Sequence, residues 1–244
     1  IANIGLVLGL TLIISPILVG RTTAFTDLPL LLAITILCGW LLHDGSLTAF
    51  DASILSAALL LYFIRIAIHL RKPGVNDDTS EMESLPIGKA VGAFFVGLVV
   101  LLGSSKVLVW AAVNIAAGFG VSELVIGLTI VALGTSLPEL AASMLSALKG
   151  HADIAIGAVV GSNMFNLLIV LALPGFFAPL TLSITDIQRD LGTVFVTTAT
   201  LAALTWLGWR KETNHALLGR AAGCLFLSFY VGYCLWIYYD ISKV

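Results

Sequence analysis

Charge is what this sequence has least of. Lys, Arg, Asp and Glu together make 11% of 244 residues, while hydrophobic residues make 59% and the net charge is −2. Soluble domains carry about a quarter charged residues, so a soluble domain is excluded at the outset. The net charge says nothing about nucleic acid, and no nucleic-acid partner is expected. Cysteine is also scarce. Cys38, Cys224 and Cys234 have no metal-ligand spacing and fall in apolar runs, where they are expected as buried thiols rather than as a disulfide or metal site. Catalytic constellations are missing: there is no HExxH pair and no Ser/Lys or Asp/Asp dyad within the apolar runs. His43, His69, His151 and His215 all lie near the ends of those runs. The chain opens on Ile1-Ala2-Asn3, with no methionine and no basic leader, already inside an apolar run.

What is present is a series of apolar stretches of bilayer length. Eight spans are read, at about 1–20, 28–43, 51–70, 88–118, 121–148, 152–178, 190–209 and 217–239. The fourth exceeds what a bilayer needs and is expected to tilt or bend. The one polar linker of any length, Arg71 to Lys89, carries Asp77, Asp78, Glu81 and Glu83 and reads as a solvated loop. With that loop in the cytoplasm, Arg21, Arg65, Arg71, Lys72, Lys89, Lys149, Arg210, Lys211 and Arg220 fall on the cytoplasmic side and Arg189 and Lys243 outside. Lys106 lies within the fourth span, where tilt and snorkelling are expected to bring its ammonium to the headgroups. Tyr230, Tyr233, Trp236, Tyr238 and Tyr239 gather toward the outer end of the last span as an interfacial belt.

The start of the chain repeats later in it. A shift of 163 carries Asn3 onto Asn166, Pro16 onto Pro179 and Asp27 onto Asp190. On the span count the two copies run in opposite directions, the inverted-topology plan of many secondary transporters. The division expected is 1–70 as part of the first repeat, 71–88 as a cytoplasmic loop and 89–244 as the second repeat, within one membrane domain. A complete protein on this plan is expected to carry a further hairpin before Ile1 with its own intramembrane carboxylate, ten spans in all, without which the chain would not transport.

Of fourteen acidic residues, Glu139 alone falls deep within a span. A carboxylate there costs about 2.5–3.5 kcal/mol on insertion scales and marks a functional site. It follows Gly134-Thr135-Ser136-Leu137-Pro138. Pro138 removes a helical hydrogen bond and clashes with the preceding turn, so the helix is expected to break and free carbonyls from Ala132 to Thr135. Carbonyls, hydroxyls and a carboxylate are hard oxygen donors suited to Ca²⁺ and Na⁺. The sixth span is expected to break in the same way at Gly157 and Gly161, followed by Ser162, Asn163 and Asn166. Ser162 and Asn166 share a helix face, and Asn163 is expected to bond the broken region.

Gly127 to Glu139 together with Gly157 to Asn166 resembles the second alpha-repeat of the sodium/calcium exchanger family, the calcium/cation antiporters, in its compact prokaryotic form. The resemblance implies an all-α polytopic fold, with eight of ten spans here. It implies Glu139 as the central cation ligand, Ala132 offering its carbonyl, and Thr135, Ser136 and Ser162 adding oxygens. Asn166 falls where relatives carry Asp or Asn, and Asn3 is its partner position in the first repeat. The fourth span and a partner before Ile1 would be the gating helices.

The expected function is a Na⁺/Ca²⁺ antiporter that extrudes Ca²⁺ from the cytoplasm by alternating access. Asn at both 3 and 166 leaves room for H⁺ or K⁺ as counter-ion, and a Ca²⁺/H⁺ antiporter, a K⁺-dependent antiporter and a cation channel are the alternatives. No cofactor is expected; the ions are cargo. The other partner is the lipid bilayer, and the expected location is a prokaryotic inner membrane.

Overall fold

The computed structural model describes residues 1–70, 86–120, 126 and 132–241. The acidic run from Asp77 to Glu83, together with Arg71, Lys72 and Lys243, lies outside the described residues. The chain forms two compact units: Ile1–Tyr62 with Glu139–Val244, and Phe63–Pro138.

The first unit opens with α1 (Asn3–Ile14), whose first part, Asn3–Leu8, is π-helical. The helix stops where the sequence requires it to. A residue before proline is pushed out of the helical region, and Ser15, before Pro16, sits at φ −137, ψ 118. The chain then runs as strand β1 (Ile17–Gly20), α2 (Thr23–Leu41), strand β2 (Ser46–Leu47) and α3 (Ala49–Leu70). After α6 (Leu137–Leu148), described below, come α7 (Ala152–Phe177), β3 (Leu180–Thr181), α8 (Ile184–Leu207), β4 (Trp209–Arg210), β5 (His215–Leu218) and α9 (Arg220–Ile241). Thr48 and Asp51 form a reciprocal cap at the start of α3: Asp51 Oδ2 accepts from the Thr48 N–H at 2.9 Å, and Thr48 Oγ1 accepts from the Asp51 N–H at 3.4 Å. At the start of α8, Ser183 Oγ accepts from the Asp186 N–H.

The duplication expected from Asn3, Pro16 and Asp27 extends to the backbone. A second π-helical run, Asn166–Val170, begins at Asn166 as the first begins at Asn3. Ala178, before Pro179, is extended at φ −158, ψ 147, as Ser15 is before Pro16. Strands pair across the copies. Ile17 and Leu18 pair with Leu218 and Leu217, while Leu180 and Thr181 pair with Leu47 and Ser46. A shift of 163 carries the first strand of one pair onto the first of the other, and a shift of 171 does the same for their partners. Each copy therefore gives a strand to the other in the same register, the reciprocal exchange that a two-fold axis produces. α3 and α9 obey the same shift of 171 at both ends and are each 22 residues long. The extra residues in the second copy form the β4–β5 hairpin, whose turn places Asn214 at φ 54.

Apolar burial drives helices together weakly in lipid, so close backbone approach matters more. α1 crosses α9 at Gly9 and Gly223, where a Cβ on Gly223 would lie 2.7 Å from the Gly9 carbonyl oxygen. Leu8, Leu12, Ile156, Met164, Leu168 and Phe226 are fully buried and belong to the one apolar cluster of this unit.

In the second unit, α4 (Ile87–Gly118) is a single helix of 32 residues with no buried residue. At 1.5 Å per residue it is roughly 48 Å long, more than the ~30 Å hydrocarbon core requires. Lys106 is exposed on it. The short helix α5 (Ala132–Thr135) packs on α4: a Cβ at Gly134 would collide with the Val109 side chain.

Among the described residues, six helices are long and apolar enough to cross a membrane, and two more, Asn3–Ile14 and Leu137–Leu148, are apolar but shorter. Seven of the predicted spans correspond to these helices. The remaining one, predicted at 121–148, is matched by Leu137–Leu148 alone, because 121–125 and 127–131, with the motif residues Gly127 to Val131, lie outside the described residues. The first is shorter than expected because Pro16 turns the chain into β1. The five short strands were not expected from the sequence. Of the thiols, Cys38 is buried as expected, but Cys224 is exposed and Cys234 half-buried; all three are free.

Candidate ion-binding site

The helix of the fifth span does break before Glu139. Ala132–Thr135 is helical, Ser136 forms a turn with its N–H on the Leu133 carbonyl at 3.0 Å, and a new helix starts at Leu137. Pro138 falls in the first turn of α6, where its missing N–H would be unpaired in any case. Ala132, Thr135 and Ser136 belong to the second unit, and Glu139 is the first residue of the chain's return to the first unit.

Glu139 stands in the first turn of α6, where the helix dipole favours negative charge. Its Oε2 is buried and accepts no hydrogen bond among the described residues. One turn on, Ser143 is 1% exposed and its Oγ also has no hydrogen-bond partner among the described residues. The two lie four residues apart and share a face. Ser143 was not picked out from the sequence; its spacing from Glu139 was the available signal. The far end of α6 is tied to α1 by Ser15 Oγ, which donates to the Ala147 carbonyl at 3.3 Å.

The sixth span departs from expectation. Gly157 and Gly161 leave no break: α7 is regular α-helix from Ala152 to Phe165. The irregularity comes one turn later, as the π-helical run from Asn166. Such runs recur at functional sites. Asn163 bonds its own helix, Nδ2 donating to the Val159 carbonyl at 3.0 Å, rather than a broken segment. Ser162 and Asn3 are brought together across the two copies: Asn3 Nδ2 donates to Ser162 Oγ at 3.0 Å. Asn3 is buried, with 5% exposure, whereas Asn166 is exposed. Within the first unit, then, three helices supply the expected residues: α6 gives Glu139, α7 gives Ser162 and Asn166, and α1 gives Asn3.

Known proteins are similar to this chain in sequence and in fold. The profile of the family described as "Sodium/calcium exchanger protein" matches residues 89–239. CaxA of Alkalimonas amylolytica is 37% identical over 96% of this chain and 74% of its own length. The inner membrane protein YrbG of Escherichia coli is 31% identical over 97% of this chain and 73% of its own length. Among solved structures, the sodium-calcium exchanger NCX_Mj soaked with zero Na⁺ and Ca²⁺ superposes with a TM-score of 0.75 at 26% identity, covering 94% of this chain and 70% of that one. The inverted repeat, the broken helix before Glu139 and the match over most of its length agree: the chain belongs to the sodium/calcium exchanger family of cation antiporters.

Proposed function

We infer that this membrane protein exchanges Na⁺ for Ca²⁺ as a secondary active antiporter, with Glu139 as the carboxylate for which both ions compete. The observation that carries the site assignment is Glu139 Oε2, buried without a hydrogen-bond donor among the described residues. A carboxylate oxygen in that setting is costly unless a cation answers it. Na⁺ and Ca²⁺ both take carboxylate, carbonyl and hydroxyl oxygens, so one shared site makes binding of the two ions mutually exclusive. That exclusion couples their transport.

The remaining donors are neutral. Ser162 Oγ and the Asn3 amide are held side by side by their hydrogen bond. With Asn3 Nδ2 committed to Ser162, its Oδ1 is the atom left to face an ion. Asn166, the Ala132 carbonyl and the hydroxyls of Thr135 and Ser136 complete the proposed set. The repeats are taken as 1–70 and 89–244, joined by a cytoplasmic loop at 71–88, and the inward Na⁺ gradient drives Ca²⁺ outward.

The test is radioactive Ca²⁺ uptake into proteoliposomes loaded with Na⁺ and diluted into Na⁺-free medium, with Glu139→Gln alongside. That substitution keeps shape and removes charge. Uptake that depends on internal Na⁺ and disappears in the variant is expected. A Glu139→Gln protein that transports at the normal rate would remove Glu139 from the site. Uptake driven by an acid interior but not by Na⁺ would reassign the counter-ion.

A further inference from the structure

Among the described residues three buried side-chain oxygens have no hydrogen-bond partner: Glu139 Oε2, Ser143 Oγ and Thr198 Oγ1. Two of the three stand on α6, one turn apart. A buried hydroxyl on a membrane helix ordinarily bonds the carbonyl of the preceding turn, and this chain does so elsewhere. Thr11 donates to the Val7 carbonyl at 2.7 Å, Thr35 to Leu31 at 2.8 Å, Thr197 to Thr193 at 2.8 Å and Thr205 to Leu201 at 2.8 Å. Ser143 has the Glu139 carbonyl at the same spacing and leaves it. Thr198, on α8, has no carboxylate within a turn on either side.

The helix sets Ser143 to the inside of Glu139. Each residue turns by about 100°, so around the axis from Glu139 lie Ser143 at about 40°, Ala147 at about 80° and Leu140 at about 100°. Ala147 belongs to the apolar cluster of this unit and Leu140 packs against it. Ser143 therefore stands between the carboxylate and the core, and it is 1% exposed. A helical side chain also leans over the turn before its own Cα, which carries Ser143 Oγ back toward the turn that holds Glu139. Each buried oxygen without a partner is costly. A water can donate to both but leaves the charge of the carboxylate unanswered. A cation takes carboxylate and hydroxyl oxygens alike as ligands and cancels that charge.

We propose that Ser143 Oγ is a further oxygen of the ion site, given to the same Ca²⁺ that Glu139 Oε2 holds. Ca²⁺ takes about six to eight oxygens, and the hydroxyl adds a neutral one behind the carboxylate. The inference rests on the assignment of Glu139 to the ion.

The test is thermal melting of the detergent-purified protein with and without a fixed concentration of Ca²⁺, together with equilibrium Ca²⁺ binding. Removing an oxygen that has no partner in the ion-free protein costs nothing there. Ser143→Ala is therefore expected to melt no lower than the parent without Ca²⁺. It is expected to bind Ca²⁺ about tenfold more weakly, the scale of one contact to a charged group, and to show a smaller Ca²⁺-induced rise in melting temperature. Thr35→Ala, which removes a hydroxyl bonded within its own helix, is expected to shift both melting temperatures equally and to leave Ca²⁺ binding unchanged. A Ser143→Ala protein that binds Ca²⁺ as tightly as the parent, or that melts lower by equal amounts with and without Ca²⁺, overturns the proposal. So does failure of that variant to fold. A parent without a Ca²⁺-induced rise, or a rise that persists in full in Glu139→Gln, overturns the assignment of Glu139 and this proposal with it. A rise lost in Glu139→Gln and kept in full in Ser143→Ala leaves Glu139 in place and overturns the role of Ser143 alone.

Discussion

α2 and α8 lie side by side across the two-fold, so their two ends ought to match, and they do not. At one end the Trp206 indole N–H donates to the Ala24 carbonyl at 2.7 Å. At the other, the related residue is His43, whose Nδ1 lies 2.7 Å from the Trp40 carbonyl of its own helix. There a cavity of about 400 Å³ remains, lined by Thr35, Gly39, His43 and Gln188 among others. The cause is a single ring. Ala24 lies in the π-helical run Thr23–Asp27, in which a carbonyl bonds the N–H five residues on. Leu28 N–H serves Thr23, but the residue five beyond Ala24 is Pro29, which has no N–H. The Ala24 carbonyl is left over, and Trp206 satisfies it. The position related to Pro29 is Gly192, which has its N–H, so His43 has no such carbonyl to serve. A duplicated backbone tolerates divergent side chains wherever the hydrogen-bond account of each copy closes on its own.

The largest effect expected from breaking the likeness is at the helix crossing. The residue related to Gly223 is Ala52, which is fully buried. Yet a Cβ at Gly223 would meet the Gly9 oxygen at 2.7 Å and the Ile13 nitrogen at 2.9 Å. Backbone atoms cannot move aside as a side-chain tip does. Gly223→Ala is expected to cost about 3 kcal/mol, the upper part of the overpacking range, read as a fall in melting temperature in detergent. Ala52→Gly is expected to cost under about 1 kcal/mol. Equal effects would mean that the crossings are packed alike.

Next in size is Trp206→Phe, which keeps the bulk and removes the donor. Ala24 is fully buried, so its carbonyl is left unpaired at about 2 kcal/mol. Adding Pro29→Ala restores a main-chain N–H and is expected to recover most of that loss. If the double variant melts no higher than the single one, the indole acts through packing and not through its hydrogen bond.

How much of this was readable in advance depended on how local the cause was. Pro16 and Pro179 could be aligned by eye, and their steric effect on Ser15 and Ala178 is what ends both helices. Glu139 stood out because a carboxylate in an apolar span is expensive. The break at Ser136 followed from Pro138, whereas Gly161, with no proline beside it, stays in regular helix. Strands of two to four residues carry no usable pattern, since pairing with a partner far along the chain decides them. A π-helical run is a slip of the hydrogen-bond ladder and has no composition of its own. The contact of Asn3 with Ser162 spans 159 positions and needed the fold. It also separates the two asparagines: Asn3→Leu removes that hydrogen bond and is expected to cost about 1 kcal/mol, while Asn166→Leu, at an exposed position, is expected to leave the melting temperature nearly unchanged. The reverse order would place the structural hydrogen bond in the second copy.

The smallest effect sharpens the comparison at the turns that lead to the cross-copy strands. In the second copy the turn is closed by Asn214 at φ 54, which carries no charge. In the first it is closed by Asp44, whose Oδ1 accepts from the Ser46 N–H at 2.9 Å and whose Oδ2 accepts from the Ser46 hydroxyl at 2.8 Å. Between them Gly45, at φ 76, offers its carbonyl to the Leu182 N–H at 2.7 Å, joining the turn to the strand of the other copy. The Ser46 N–H, and after it the hydroxyl, hold the Asp44 carboxyl below its ordinary 3.8. A carboxyl depressed in the folded state contributes stability above its unfolded value and loses it as pH falls through the folded one. Asp44 is fully exposed, so the contribution is small. Asp44→Asn is therefore expected to melt slightly lower than the parent at pH 7, with a gap that narrows once the pH drops below the ordinary carboxylate range. A gap that stays constant down to pH 3 would show that Asp44 holds the turn by shape alone, as Asn214 does in the other copy.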